Sequence, residues 1–330
     1  MRTATHIENI VWADVANDGR VLASRDERYR TVSPVSRLYQ ALRMMPHLTS
    51  LRVFDCRQGL QAPDNLRLHG RVQLRSEEAL FPNEHVRMRL QIYELHHEPR
   101  SRSLLFVKVQ PDTVRTLRLS GNCTLPNNLS TTSLRSLVLD TVTGSYLDLR
   151  SLHEIFVGAN LDDFAYRMGH PLAFEMRDSH LHSLPLLGRN LRRLVLLGCS
   201  RFSSISLQEV LAGLHELKHL ALDIITVLDS DLKHDFISPL PVSLIRFKFS
   251  ISNEKSTVEH IEEETLLANA VELLLRRRNP PKLTYLHLRD AIFDRGGRRT
   301  RLQHIAKAHE VRLVLGDWRN ENDMYDEEIM

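Results

Sequence analysis

The sequence lacks any long apolar run. Nowhere in its 330 residues do apolar side chains continue for the roughly 18 positions that a membrane-spanning helix needs, so no membrane partner is expected. The first segment, Met1-Arg-Thr-Ala-Thr-His-Ile-Glu8, has no apolar stretch of the signal-peptide kind, and the expected location is cytoplasmic or nuclear. Cysteine is scarce. There are three, Cys56, Cys123 and Cys199, an odd number set far apart, which argues against a disulfide framework and for a reducing compartment. An excess of either charge is missing too: 44 Lys and Arg stand against 41 Asp and Glu, a net +3, which makes no global demand for nucleic acid. Catalytic signatures are absent as well. There is no G-x-x-x-x-G-K-S/T loop, no G-x-G-x-x-G turn, no G-x-S-x-G elbow and no marked pair of carboxylates. The expectation is a chain that is not an enzyme and holds no cofactor or metal.

What the sequence does have is a spacing. Val114-x-x-Leu117-x-Leu119-x-x-Asn122, Leu134-x-x-Leu137-x-Leu139, Leu152-x-x-Ile155-x-Val157-x-x-Asn160 and Leu191-x-x-Leu194-x-Leu196-x-x-Cys199 repeat one pattern, with a weak line at Pro171-x-x-Phe174-x-Met176. Their first anchors fall about twenty residues apart or near it, the period of stacked-repeat folds. In each line the second and third anchors, two residues apart, point the same way on a strand, while the first anchor packs behind them. One such unit cannot bury its own apolar face, so neighbours must stack. Asn122 and Asn160 suit the turn leaving the strand, where an amide satisfies backbone groups. Cys56 and Cys199 suit the same place as small buried thiols. Amphipathic helices also set apolar residues three apart, so the argument rests on several lines in register. The expected fold class is α/β: a leucine-rich-repeat solenoid, or horseshoe, with parallel strands on the concave face and helices and loops on the convex face.

The solenoid is expected over 1–319. Ile7-x-x-Ile10-x-Trp12 reads as a first line, 16–33 as a polar loop, and Pro34 to Met45 as a helix before the clear line Leu48-x-x-Leu51-x-Val53-x-x-Cys56. Residues 57–113 are irregular, with strands expected at Arg71–Leu74, Val86–Tyr93 and Leu104–Val109; His85-x-x-Met88-x-Leu90 is a candidate degenerate line. Later repeats are longer. Ser206-Leu-Gln-Glu209 has capping-box spacing for a helix reaching about Leu214. Strand lines follow at Leu217-x-x-Leu220-x-Leu222, Leu244-x-x-Phe247-x-Phe249 and Leu283-x-x-Leu286-x-Leu288. A long helix is expected from Val258 to Arg278, with acidic residues first and Arg276-Arg-Arg278 last, as the helix dipole favours. A short helix at Leu302–Ala308 and a strand at Val311–Leu315 close the repeat, and 320–330 reads as an acidic, loose tail.

The lines Leu48-Thr-Ser-Leu51-Arg-Val-Phe-Asp-Cys56, Val114-Arg-Thr-Leu117-Arg-Leu-Ser-Gly-Asn122 and Leu191-Arg-Arg-Leu194-Val-Leu-Leu-Gly-Cys199 resemble the leucine-rich-repeat region of fungal F-box-like proteins. The motif is generic to intracellular leucine-rich repeats and covers most of the chain. The resemblance implies a protein-binding scaffold, with a substrate-adaptor role in ubiquitin transfer as its narrower form. There an N-terminal F-box helix binds a Skp1-like adaptor and the repeats hold the substrate. No Leu-Pro-x-Glu-like segment occurs near this N-terminus, so a Skp1-like partner is expected only where an F-box is present.

Side chains between the anchors are expected on the concave face, as the surface that binds a protein partner. They are Arg52, Phe54, Arg118, Asp140, Phe156, Glu175, Arg177, Arg193, His219, Asp223, Arg246, Lys248, Tyr285, His287 and Arg289. The mixture of aromatic, apolar and charged groups is one that interfaces use. The alternative is a zinc hydrolase built on His215-Glu216-Leu217-Lys218-His219, a literal H-E-x-x-H. That chemistry needs a helix, to set both imidazoles on one face with the glutamate as general base. Leu217 and Leu220 are repeat anchors, so the segment is expected to enter a strand instead. His96-His97 and His180-Leu-His182 are expected in loops. The basic C-terminal third, with Arg298-Arg-Thr-Arg301, suits phosphates or an acidic protein, but the acidic residues of the long helix lie nearby and the helix dipole explains Arg276-Arg-Arg278, so nucleic acid is not expected and the protein partner is left open.

Overall fold

The computed structural model describes residues 6–11, 49–54, 91–96, 105–106, 113–124, 131–143, 147, 150–226, 235–253, 261–289, 297–316 and 318. The chain divides into two compact units. The first holds residues 1–149, 155–159 and 170–174; the second holds 150–154, 160–169 and 175–330.

In the first unit, β1 (His6–Val11), β2 (Ser50–Phe54), β3 (Ile92–His96), β5 (Thr116–Thr124) and β6 (Ser136–Thr143) pair side by side, with β4 (Leu105–Phe106) against the end of β5. Every pairing is parallel. The second anchors stack across the strands as Leu51, Tyr93, Leu117 and Leu137, and the third as Val53, Leu95, Leu119 and Leu139. Tyr93, Leu117, Leu119, Leu137 and Leu139 are buried, and so are the first anchors Val114 and Leu134.

One expected line in this unit moves. β1 sets Ile7 opposite Leu51 and Ile10 opposite Val53, with a register shift between them, so Ile7 is a second anchor and not a first. The working line of β3 is Tyr93-Glu94-Leu95, five residues beyond Met88-x-Leu90. The Pro34–Met45 helix, the Arg71–Leu74 strand, the His85–Leu90 line, Cys56 and the 320–330 tail lie outside the described residues.

In the second unit, β7 (Asp163–Arg167), β8 (Arg193–Cys199), β9 (His219–Thr226), β10 (Arg246–Asn253), β11 (Tyr285–Leu288) and β12 (Arg312–Leu315) form one open parallel run in chain order. Two apolar rows cross it. One is Phe164, Leu194, Leu220, Phe247, Leu286 and Leu313; the other is Tyr166, Leu196, Leu222, Phe249, Leu288 and Leu315. Parallel strands need crossover segments, and helices serve here: α2 (Asp178–Leu181), α3 (Leu184–Leu187), α4 (Ser204–Gly213), α5 (Ile261–Arg276) and α6 (Arg298–Ala308). Their buried stripes, such as Leu207, Val210 and Leu211 of α4 and Leu267, Val271 and Leu274 of α5, supply the cover that buried rows require. The chain is therefore α/β, and the described strands of each unit form an open, all-parallel sheet.

One hydrogen-bond device recurs where the chain joins many of the strands. A single carbonyl accepts from two consecutive N–H groups of the next repeat. Thr49 O accepts from Gln91 and Ile92, Gln91 O from Arg115 and Thr116, and Arg115 O from Arg135 and Ser136. In the second unit Asp162 O accepts from Arg192 and Arg193, Arg192 O from Lys218 and His219, Lys218 O from Ile245 and Arg246, and Ile245 O from Thr284 and Tyr285. The device marks the true repeat register without reference to side chains.

The register also bends at one recurring place. Two residues after the third anchor the backbone turns left-handed: Gly121 (φ 71°), Thr141 (φ 54°) and Gly198 (φ 72°). A Cβ on Gly198 would sit 2.7 Å from the Met168 carbonyl oxygen. Glycine fits such a conformation without strain; a β-branched threonine does not.

The clearest departure from expectation is Leu152-x-x-Ile155-x-Val157. It is a short helix, α1 (Leu152–Ile155), with Val157 55% exposed beyond it. The Ser151 N–H donates to Glu154 Oε2 at 3.1 Å, so Ser151-x-x-Glu154 closes the helix start as half of a capping box. The Ser151 hydroxyl first, and this backbone N–H second, hold the Glu154 carboxyl below its ordinary pKa. Asn160 then lies outside any strand, and the strand of this repeat is Leu161-x-x-Phe164-x-Tyr166. Pro171-x-x-Phe174-x-Met176 is not a strand either. Phe174 N–H donates to Val142 O, while Met176 N–H donates to the Tyr166 hydroxyl. The α4 cap is Ser203, whose Oγ accepts from Ser206 N–H, so Ser206 is inside the helix. Asp178 Oδ1 accepts from Ser203 N–H at 2.9 Å, which ties α2 to α4.

Candidate interaction face

The alternation that buries the anchors turns the residues between them to the other face of the sheet. In the first unit Arg52, Glu94, Arg118 and Val138 share one register level, and Phe54, His96, Ser120 and Asp140 the next. In the second unit Asp163, Arg193, His219, Arg246, Tyr285 and Arg312 share one level, and Ala165, Val195, Ala221, Lys248, His287 and Val314 the next. A third level carries Arg167, Leu197, Asp223 and Ser250.

On these levels two arginines are locked to the strand before them. Arg118 Nη1 donates to Glu94 Oε1 at 2.8 Å, and Arg193 Nη1 to Asp163 Oδ1 at 2.6 Å. Strands about 4.8 Å apart let a long side chain lie flat over its neighbour, which buries its own stem. Arg118 and Arg193 are each only 8% exposed. Asp140, which accepts from Thr141 Oγ1 at 2.9 Å, and Asp223 are buried as well. Four residues expected at the surface are thus largely enclosed within the face.

The late strands are different. Arg246 and Arg312 are exposed, and His219, Lys248, Tyr285, His287 and Arg289 are half-buried. Tyr285 Oη lies 3.1 Å from His287 Nδ1, and the two rings meet edge to face at 6.0 Å. Lys248 Nζ stands 5.8 Å over the Trp318 ring, and the Arg312 guanidinium 5.8 Å over Tyr285, both in cation–π range. Arg289 Nη1 donates to Ile251 O at 3.0 Å. Trp318 is buried, and its indole N–H has no acceptor among the described residues.

Three expected face residues are elsewhere. Phe156 follows α1 and is fully buried, because the capping box turned its segment into a helix. Glu175 lies on no strand; it accepts from Ser200 Oγ and pairs with Arg201 Nε at 2.5 Å. Arg177 is the residue before α2 and bridges to Arg201. The side chains of Arg52, Phe54 and His96 lie outside the described residues. Sequence reasoning missed Glu94, Asp163, Arg312 and Trp318. Asp163 was hidden by the misplaced line at 152–157, and Glu94 lies beyond the candidate line at 85–90, which falls outside the described residues. Their signals were present, as an acid between aromatic or aliphatic anchors in Tyr93-Glu94-Leu95 and an acid just before Phe164-Ala165-Tyr166.

His215 and Glu216 occupy a turn and His219 opens β9, so the two imidazoles share no helical face. Among the described residues no group of three or more His, Cys, Asp or Glu is placed to hold a metal ion. His96 closes β3 instead of lying in a loop, His97 lies outside the described residues, His180 is in α2, and His182 is in the turn that follows it. His180 is buried in α2 and accepts from Arg177 N–H through Nδ1, while His182 Nε2 lies 3.2 Å from Ser206 Oγ. The triple arginine is more than a dipole complement. Arg277 Nη1 donates to Ser238 O and Leu240 O, pinning the proline-rich loop, and partial burial lowers its pKa.

Among the described residues no helix is long and apolar enough to cross a membrane. No family model matches the sequence, and no curated protein resembles it at a significant level.

Proposed function

We propose that this chain is a leucine-rich-repeat solenoid acting as a protein–protein interaction scaffold, which holds its partner against the polar face of its parallel sheet. The observation that carries the reading is the in-register face itself. The first unit sets Glu94 and Arg118, and the second Asp163, Arg193, Arg246, Tyr285 and Arg312, on the face opposite rows of largely buried apolar anchors. Such a face is rigid because its interior strands are held on both sides by ladder hydrogen bonds, and rigid, mixed-polarity faces recognise proteins with little ordering cost. The recurring two-donor carbonyl supports the repeat reading independently of leucine counting. A substrate-adaptor role in ubiquitin transfer is the narrower form, resting on the resemblance to F-box-like proteins. In this reading the scaffold works in the cytoplasm or nucleus, where the buried thiol of Cys199 stays reduced.

Site-specific photo-crosslinking in cell extract tests the reading. A photoreactive residue placed at His219, Lys248 or His287 is expected to trap a protein partner. The same residue at Gln208, Asn269 or Gln303, exposed on helices, is expected to trap far less. Adducts arising from the helical positions alone would remove the sheet face as the working surface.

A further inference from the structure

The inference rests on the scaffold reading and names the chemistry of the partner. β10, β11 and β12 contain no aspartate or glutamate. In the same unit β7 and β9 each carry one on the polar face, Asp163 and Asp223. Arg193 meets its carboxylate one strand away. Arg246 and Arg312 stand on the same register level, exposed, with only Tyr285 between them and no acid on their strands. Lys248 and Arg289 add two more cations beside the Tyr285–His287 pair. No acid on the described residues of these strands faces Arg246 or Arg312, whose charge a complementary anion would find.

We propose that the face of β10–β12 holds an acidic peptide segment of the partner protein, its carboxylates paired with Arg246 and Arg312. A peptide fits better than a nucleic acid. The cations are few and sit on adjacent strands. The Tyr285 and His287 rings already meet edge to face and offer no pair of open stacking platforms.

The test is fluorescence anisotropy of the full chain with a fluorescein-labelled peptide of alternating glutamate and tyrosine. Its glutamine counterpart and an oligothymidylate of equal length serve as comparison probes. The glutamate peptide is expected to bind saturably and the glutamine peptide not. Arg246→Glu with Arg312→Glu is expected to weaken binding by about tenfold or more, as reversal of paired charges does. Arg276→Glu with Lys307→Glu, the same change in net charge placed on α5 and α6, is expected to leave it within about twofold. Thermal melts check folding. Where charge reversal lowers the melt, Arg246→Gln with Arg312→Gln reads the same effect at about threefold. Absence of glutamate-peptide binding, equal loss in both reversed pairs, or tighter binding of the oligothymidylate each overturns the proposal. Crosslinks from the face without peptide binding remove the acidic partner and leave the scaffold; crosslinks from helices alone remove both.

Discussion

The two units build the same rung at different depths. In the first, Arg118 is held by Glu94, whose side chain is 3% exposed; in the second, Arg193 is held by Asp163, 25% exposed. The arginine side chains are alike, each 9% exposed. The late strands of the second unit carry arginines at the matching level with no acid before them. An arginine on this face is structural where the preceding strand supplies a carboxylate, and available where it does not. Its role is decided by its neighbour across the ladder and not by its own position in the repeat.

The sharpest way to break this comparison is to remove the acids. Glu94→Ala is expected to cost about 3 kcal/mol in denaturant melts, because it removes the buried carboxylate to which the enclosed Arg118 guanidinium donates. Asp163→Ala is expected to cost about 1 kcal/mol, since water reaches that rung and replaces the lost partner. Equal losses at the two sites would show that depth does not grade the rungs.

The left-handed bend after the third anchor sharpens it further. Gly198→Ala is expected to cost about 2 kcal/mol, from conformational strain together with the close Met168 carbonyl. Thr141→Gly, at the equivalent bend of β6, is expected to raise stability by up to about 1 kcal/mol. Loss of the Thr141–Asp140 hydrogen bond offsets part of that gain. A destabilised Thr141→Gly would mean that the hydrogen bond outweighs the strain.

The smallest effect concerns Cys199. Burial first, then the charges of Asp223 and Glu175, raise its thiol pKa well above the ordinary value. The unfolded chain ionises this thiol more readily than the folded one. Its contribution is therefore complete below the ordinary thiol pKa and is lost as pH rises from there through the folded value. Cys199→Ser is expected to flatten that alkaline limb in melts recorded as a function of pH, and the native thiol to resist a soluble disulfide reagent until the chain unfolds. Rapid labelling of the native protein at Cys199 would contradict its burial.

Most of the strand lines were legible. Val114-x-x-Leu117-x-Leu119, Leu191-x-x-Leu194-x-Leu196 and Leu217-x-x-Leu220-x-Leu222 lie where their spacing put them, as do the long helix at Ile261–Arg276 and the strand at Arg312–Leu315. The misreading at Leu152-x-x-Ile155 has a physical cause. Three-residue spacing is shared by a helix face and by the first two anchors of a strand line, so periodicity alone is ambiguous over so short a stretch. The capping box at Ser151-x-x-Glu154 held the missing information. At β3 and β7 the anchors are aromatic as well as aliphatic, so a leucine template passed over these lines.

The sequence by itself determined an α/β chain of repeated apolar triplets, because alternation on a strand is a local property of the residues in it. It also placed most of the side chains on the outward face. Only the tertiary structure decided which of those side chains are enclosed and which are open. That depends on what stands one strand away, tens of residues distant along the chain but only a ladder spacing away in space.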